Sequence, residues 1–372
     1  MAANTSRRAY RTLEGLRAVG AFLVVMRHVP SLFGGIRVPE SFLAVDLFYL
    51  VSGFVIAHAY GPQLASGGSF GAFLKTRIIR LYPLYLVGLA VGVVVALIAV
   101  IGDPAGWWTW PRLATAIATG LVMIPMFPGL PASGTALDGP VWTLLPELIA
   151  NAVYARFIRY MNFAVLAAII VVSGAAMVLA VSQAGTLDVG YNPTDQWAAL
   201  ARVGYSFFAG VLIYRLVGER EMRSAWASWL CLVALGAILA VRPPEDAAPT
   251  YELIIVLAVF PALLAVAATL EPGPTVGRVF SRLGLLSYAV YLLHQPLGHL
   301  IEAGARDFHI PIARGGAGVG VAFILLVLAL SAWLDRAYDA PLRKVLRARF
   351  LGAPPRSPPA SSRALGSAPE AP

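Results

Sequence analysis

The first long apolar segment of the chain carries an arginine and a histidine at a spacing that suits chemistry. Arg17 and His28 stand eleven residues apart within residues 13–29, "LEGLRAVGAFLVVMRHV". On an α-helix this separation is about three turns, so both side chains share one face, roughly 16 Å apart along the axis. Such groups are costly in lipid, and we expect them to face a polar cavity. His28 is therefore a candidate general base, whereas Arg27, about 100° further round the helix, is expected to face elsewhere.

Two acidic residues in apolar stretches are candidate partners for this histidine. Asp46 lies in "FLAVDLFYLVSGFVI", near the outer end of its segment and at about the depth of His28. Glu147 lies in "GPVWTLLPELIANAVYARF". A carboxylate that holds one imidazole nitrogen leaves the other free to accept a proton. We predict that Asp46 or Glu147 orients His28 in this way.

A pair of arginines follows the second apolar segment. Arg77 and Arg80, in "RIIRLYPLY", are three residues apart and share one helical face at the predicted cytoplasmic surface. Two guanidinium groups so placed suit bidentate binding of phosphate. Ordinary anchoring by positive residues at the cytoplasmic end of a span is the alternative.

Further polar and aromatic side chains within the apolar segments are candidates to line a cavity. Buried tyrosines commonly serve packing, with their hydroxyls hydrogen-bonded. A histidine two residues before Pro296 has the alternative of a structural hydrogen bond to a carbonyl that the proline frees. The predicted lining residues are Ser52, Trp142, Ser287, Tyr288, Tyr291 and His294.

The composition indicates the element type that must position these residues. Of 372 residues, 59% are hydrophobic and only 13% are charged, far from the balance of a water-soluble protein. Continuous apolar runs approach the roughly 20 residues that cross a bilayer as a helix. The predicted fold class is all-α, a polytopic transmembrane helical bundle. Cys231 is the one cysteine, so a disulfide or a thiolate cluster is excluded, and we predict no metal site.

The apolar runs predict about ten crossings, with both termini in the cytoplasm because basic clusters then fall on one side. Two full crossings within 113–160 would break that rule, so one half of this region is expected to be re-entrant or interfacial. The predicted spans are 13–34, 42–60, 81–101, 162–182, 197–217, 227–242, 252–270, 284–303 and 315–334, with one further crossing between 113 and 160.

The predicted organisation is a single membrane domain with short flanks. Residues 1–12 form a cytoplasmic segment, 13–350 the membrane domain and 351–372 a disordered cytoplasmic tail rich in Pro, Ala and Ser. The net charge of +9 comes mostly from residues that flank apolar runs, so topology explains it and a nucleic-acid partner is not predicted. We expect a multi-pass protein of the plasma (inner) membrane, in contact with lipid. The sequence does not determine the oligomeric state.

Six stretches together resemble the acyltransferase 3 family, membrane acyltransferases that modify extracytoplasmic sugars and some small molecules. The resemblance runs from about Thr12 to Pro341. The chain is similar to the stand-alone form of the family, without an appended esterase-like domain. The stretches, in family order, are "LEGLRAVGAFLVVMRH", "AVDLFYLVSGFVI", "RIIRLYPLY", "VWTLLPE", "LGLLSYAVYLLHQP" and "YDAPLR".

The resemblance assigns roles to several residues. Arg17 and His28 resemble the essential pair of the family, and Arg77 and Arg80 its cytoplasmic arginines, associated with the acyl-CoA donor. Glu147 matches the glutamate of the tryptophan-led motif. Two residues depart from the family pattern: Pro146 stands before that glutamate in place of a helix former, and Asp339 stands where glutamate is frequent.

The resemblance implies a membrane O-acyltransferase. It would move an acyl group, with acetyl expected, from cytoplasmic acyl-CoA to a hydroxyl of an extracytoplasmic carbohydrate or glycoconjugate, with no bound cofactor. His28 would act as general base or as a nucleophile that carries the acyl group, and the sequence leaves both open. A proton-coupled transporter or flippase of a sugar or lipid is the alternative, because buried Arg, His, Asp and Glu also suit proton-coupled transport.

Overall fold

The computed structural model of the chain describes residues 8–125 and 134–352. This part is almost entirely helical, which confirms the predicted α-helical class; two short strands, Met222–Arg223 and Leu270–Glu271, pair in parallel. Most of the predicted tail, from residue 353 on, lies outside the described residues. The helices are α1 (Arg11–His28), α2 (Ala44–Ala65), α3 (Phe70–Gly102), α4 (Trp110–Leu121), α5 (Gly134–Leu137), α6 (Leu144–Phe157), α7 (Phe163–Ala184), α8 (Gln196–Val217), α9 (Ala225–Ala240), α10 (Ala248–Ile254), α11 (Phe260–Thr269), α12 (Pro274–Asp307), α13 (Gly316–Leu334) and α14 (Ala340–Leu351).

Seven helical stretches in the described ranges are long and apolar enough to cross a membrane. They are α2 with the turn before it, α3, α7, α8, α10 continued into α11 through the π-helical turn Ile255–Val259, α12, and α13 continued into α14. Val171 and Val172 of α7 are each 69% exposed, as expected for side chains that face lipid. The count of ten crossings and the cytoplasmic termini stay predictions.

Helices α1 and α12 run parallel and pack through glycines of α12. A Cβ added at Gly284 would meet Glu14, and one added at Gly298 would meet the side chain of Val29 at 2.2 Å. Small residues allow such close approach of helices in membranes, where dispersion forces replace the hydrophobic effect. The two helices begin at the same end of the bundle, and α12 is almost twice as long as α1. Residues near the end of α1 therefore lie beside the middle of α12.

Helices α2 and α8 form a second parallel pair. A Cβ at Gly53 would lie 1.9 Å from the backbone oxygen of Phe207, and one at Gly210 would lie 2.0 Å from that of Leu50. Only glycine fits at these positions, because the two backbones touch there. This packing sets Asp46, at the start of α2, beside the first half of α8.

The region 113–160 contains most of α4 and all of α5 and α6. Helix α4 has 12 residues and a length of about 18 Å, below the roughly 30 Å of a hydrocarbon core, whereas 3₁₀ turns extend α6 on both sides, from Gly139 to Tyr160. The end of α4 meets α3 at Tyr85, whose hydroxyl donates to the backbone oxygen of Gly120. Helix α5 meets α3 two turns further along, at Gly92. Helix α5 therefore lies further along α3 than the end of α4 does, and the re-entrant or interfacial half of this region stays a prediction.

Candidate active site

A cavity of about 240 Å³ lies among α1, α2, α3, α6 and α12. We name it the Arg77 cavity. The walls carry three arginines and one carboxylate, so two positive charges remain without a countercharge on the lining. The predicted site residues that line it are Arg17, Ser52, Arg77, Arg80, Glu147, Ser287, Tyr288 and Tyr291.

Glu147 belongs to the Arg77 cavity rather than to His28. Its Oε1 lies 3.2 Å from Arg77 Nη2 and accepts a hydrogen bond from Ser52 Oγ at 2.6 Å. Asn151, one turn later, donates to the backbone oxygen of Glu147 at 2.7 Å. The prediction that Glu147 orients His28 is not supported by this geometry. The carboxylate instead fixes Arg77 across the cavity. Pro146, at the start of α6, leaves the helix intact because the first turn needs no amide donor there.

Arg80 contacts Asp339, which belongs to the stretch "YDAPLR", the last of the six that resemble the family. Its Nη1 lies 3.8 Å from Oδ2 of Asp339, and its guanidinium stands over the ring of Tyr288, 5.6 Å from the centroid. Asp339 is fully buried in the π-helical turn Asp335–Asp339 and also binds Arg343 Nη2 at 2.9 Å. The family often has glutamate at position 339, and the shorter Asp339 is still within ion-pair distance of Arg80. Because Arg80 and Arg343 share the carboxylate of Asp339, the positive charge of Arg80 is only partly neutralised, and a negatively charged ligand can still interact with it.

A second cavity, of about 330 Å³, lies at the other end of α1, and we name it the His28 cavity. Of the predicted site residues, His28, Trp142 and Tyr291 line it. Tyr191 faces Trp142 with ring centroids 6.4 Å apart, which gives the wall an aromatic side. The remaining polar lining comes from Arg27, Thr135, Asp188, Asn192 and Arg202.

The protonation pattern of His28 follows from its contact with His294. Nδ1 of His294 lies 3.0 Å from the backbone oxygen of Val290, and a carbonyl only accepts, so this nitrogen carries the proton. In the neutral ring, Nε2 of His294 is then an acceptor, and it lies 2.9 Å from Nδ1 of His28. His28 must donate from Nδ1, and its lone pair is on Nε2. His294 lines neither cavity and instead determines the tautomer of His28.

Asp46 is bound to an arginine that the sequence reasoning missed. Arg202 of α8 contacts both carboxylate oxygens, with Nη2 to Oδ2 at 2.6 Å and Nε to each oxygen at 3.2 Å. Both side chains are buried, and Asp46 accepts no hydrogen bond from His28 in the described part of the chain. The expectation that Asp46 orients His28 is therefore corrected. The pair locks α2 to α8 and supports the wall, with Arg202 standing 5.5 Å from the ring centroid of Trp142.

Arg27 also differs from expectation, because it lines the same cavity as His28. Its Nη2 pairs with a carboxylate oxygen of Asp188, and its Nη1 donates to the backbone oxygen of Pro39 at 2.8 Å. Helix α1 ends at His28, so Arg27 belongs to its last turn. Asp188 gave no signal in the sequence, since it lies in an ordinary polar loop. Arg202 did give one, as a lone charge inside an apolar span.

The two cavities meet at shared residues. Tyr291 and Val45 line both. The hydroxyl of Tyr291 lies 3.0 Å from the backbone oxygen of Pro140 and 3.1 Å from Oγ1 of Thr143, which holds the ring between the cavities. The two cavities are therefore adjacent, with the ring of Tyr291 on the lining of both. Among the described residues, no group of three or more His, Cys, Asp or Glu side chains is placed to hold a metal ion.

Comparisons with known proteins agree with this architecture. The model of the acyltransferase 3 family, described as an acyltransferase domain, matches residues 10–336. "Protein 2 in picA locus" of Rhizobium radiobacter is 44% identical over 155 residues, 39% of this chain and 80% of that protein. BcsY of Komagataeibacter xylinus, named as a candidate membrane-bound transacylase, is 25% identical over 354 residues, 87% of this chain and 81% of that protein. No solved structure matches the chain.

The match spans nearly the whole helical bundle and includes every residue that lines the two cavities. The chain is therefore a member of the acyltransferase 3 family, a multi-pass membrane acyltransferase.

Proposed function

We propose that this protein transfers an acyl group, with acetyl expected, from cytoplasmic acyl-CoA to a hydroxyl of an extracytoplasmic carbohydrate or glycoconjugate. Family membership favours acyl transfer over the transporter or flippase alternative. The observation that carries the proposal is the pair of cavities on one helix. One cavity has surplus positive charge, the other holds a histidine with a defined basic nitrogen, and they share Tyr291.

The Arg77 cavity suits the anionic donor. The phosphates of acyl-CoA are multiply charged, and planar guanidinium groups bind phosphate oxygens in pairs. Arg77 and Arg80 are held in place by Glu147 and Asp339, so little side-chain entropy is lost when the donor binds. Arg17 lies deeper on α1 and would meet the pantetheine arm or the thioester. The arm is narrow enough to lead the thioester past Tyr291 toward His28.

His28 would then carry out the proton transfers. Nε2 takes the proton of the acceptor hydroxyl as its oxygen bonds to the thioester carbon. The carbon–sulfur bond breaks, and the imidazolium returns the proton to the departing thiolate, so that the products are the ester and the free thiol. The hydrogen bond from Nδ1 to His294 supports the positive charge that His28 carries in between. In a covalent variant, Nε2 attacks the thioester carbon and the carbon–sulfur bond breaks to release the thiolate. The acceptor oxygen then bonds to the acyl carbon as the carbon–nitrogen bond breaks, and the hydroxyl proton passes to the thiolate.

The test is acyl transfer by purified protein in lipid vesicles supplied with radiolabelled acetyl-CoA and cell-envelope glycans. We expect the wild type to label the glycan fraction and His28→Ala to label nothing while remaining folded. His309→Asn is the matched control, because His309 is an exposed histidine whose φ of 54° asparagine tolerates. An acid-labile label on the protein would favour the covalent variant. Wild-type activity in His28→Ala would overturn the proposal.

A further inference from the structure

A third cavity, of about 490 Å³, opens beside His28, and we name it the Arg37 cavity. Its lining is mainly polar, in contrast to the apolar crevices elsewhere on the bundle surface. His28 and Arg27 belong to both this cavity and the His28 cavity, so the two are adjacent. The lining residues are Arg27, His28, Arg37, Val38, Pro39 and Arg242.

Two of the three arginines have no countercharge. Arg27 is paired with Asp188, whereas Arg37 and Arg242 are exposed and form no ion pair with any residue in the described ranges. Glu40 follows Pro39 but is buried and does not line the cavity. Because His28 is neutral when it acts as a base, the Arg37 cavity carries two uncompensated positive charges.

Membrane topology does not account for these charges. Arg37 lies between α1 and α2, and Arg242 follows α9. Both lie at the His28 end of the bundle, opposite Arg77 and Arg80. The predicted orientation places this end outside, where the positive-inside rule expects few basic residues. A pair of unmatched arginines at a cavity mouth on that side indicates an anion ligand.

We propose that the Arg37 cavity binds an anionic group of the acceptor, so that the acceptor is an acidic glycoconjugate. Arg37 and Arg242 hold a phosphate or carboxylate of the acceptor while a hydroxyl of the same molecule reaches Nε2 of His28. This inference rests on the proposed function. Two sources fit the chemistry: the diphosphate of a lipid-linked glycan and the carboxylate of an acidic sugar residue.

Direct binding tests the site without depending on transfer. The full-length protein in lipid nanodiscs is first saturated with CoA, so that added anions do not occupy the Arg77 cavity. Binding of inorganic pyrophosphate and of glucuronate is then measured by calorimetry. We expect the double variant R37A/R242A to bind the preferred anion roughly tenfold more weakly at low salt, with a smaller difference as salt rises. Preference for pyrophosphate indicates the lipid-linked source, and preference for glucuronate the acidic glycan.

The matched control is R112A/R306A, which removes two arginines from the same end of the bundle but not from the cavity. CoA affinity should be unchanged in both variants. Equal anion binding by wild type and R37A/R242A, or no binding to either, would overturn the inference. Anion binding that depends on Arg37 and Arg242, combined with no label transfer to any acceptor, would count against the proposed function and leave the anion site standing.

Discussion

The Arg77 cavity and the His28 cavity differ most in how their charges are balanced. In the first, Arg77 pairs with Glu147 and Arg80 shares Asp339 with Arg343, whereas Arg17 forms no ion pair with a described residue, so the site keeps a net positive charge that attracts an anion. In the second, Arg27 is matched by Asp188 on the lining, and Arg202 by the buried Asp46 behind the wall. Because the charges in this cavity are paired, its electrostatic potential does not fix His28 in one charge state. The cavity therefore suits a group that takes up a proton and returns it. The two cavities therefore suit donor binding and proton transfer, respectively.

The largest expected effect comes from breaking the Asp46–Arg202 pair, which supports the charge-balanced cavity. Asp46→Asn leaves the buried guanidinium without its partner, and we expect a loss of about 3–5 kcal/mol in the free energy of unfolding. Thermal unfolding of the purified protein in detergent measures this. The double variant Asp46→Leu with Arg202→Met should recover much of the loss, because it leaves no buried charge. Unaltered stability in Asp46→Asn would show that the pair does not brace this wall.

Changing His294 tests whether catalysis by His28 requires the tautomer that the contact with His294 defines. His294→Phe cannot accept the hydrogen bond from Nδ1 of His28, and we expect kcat to fall on the order of tenfold to a hundredfold with KM for the donor unchanged. His294→Gln offers an amide oxygen at the position of Nε2 and should retain most activity. Steady-state kinetics of label transfer separate the two. If both variants were equally active, or equally inactive, His294 would be a packing residue only.

Removing a charge from the Arg77 cavity should affect donor binding instead. Arg80→Ala loses one charge-assisted contact, and we expect KM for acetyl-CoA to rise about tenfold, with kcat largely retained. Lys75→Ala is the matched control, since Lys75 is an exposed cation on α3 that does not line the cavity. An unchanged KM in Arg80→Ala would contradict a role in donor binding and would favour membrane anchoring as the role of Arg80.

The smallest effect is expected at Ser52, whose hydroxyl donates to Glu147. Ser52→Ala removes one hydrogen bond worth about 0.5–1.5 kcal/mol, while Arg77 keeps the carboxylate in place. KM for the donor should therefore rise only a few-fold. A fall in kcat without a change in KM would contradict the placement of Ser52 and Glu147 in donor binding.

Part of the site could be predicted because it depends on local sequence. Arg77 and Arg80 lie on one helical face, and Tyr288 and Tyr291 are one turn apart, so helical spacing alone suggests that each pair shares a wall. The prediction of a re-entrant or interfacial segment within 113–160 follows from basic residues that could not all lie on one side. These inferences need only helix geometry and the cost of charge in lipid.

The partners of the two central residues could not be predicted in this way. His28 meets His294 because α1 and α12 run parallel and are closely packed at Gly284 and Gly298. The spacing of residues along one helix does not reveal which helices pack together. Asp46 meets Arg202 because α2 and α8 touch at glycines in the same manner. Depth in the membrane suggested His28 as the partner of Asp46, but depth does not determine which helices are neighbours.

The central claim, that donor binding and proton transfer belong to separate cavities, is tested most directly by measuring acetyl-CoA affinity and label transfer together in His28→Ala. We predict an affinity equal to that of the wild type and no transfer to glycan. Loss of acetyl-CoA binding in His28→Ala to the extent expected for Arg80→Ala, or transfer at the wild-type rate, would contradict it.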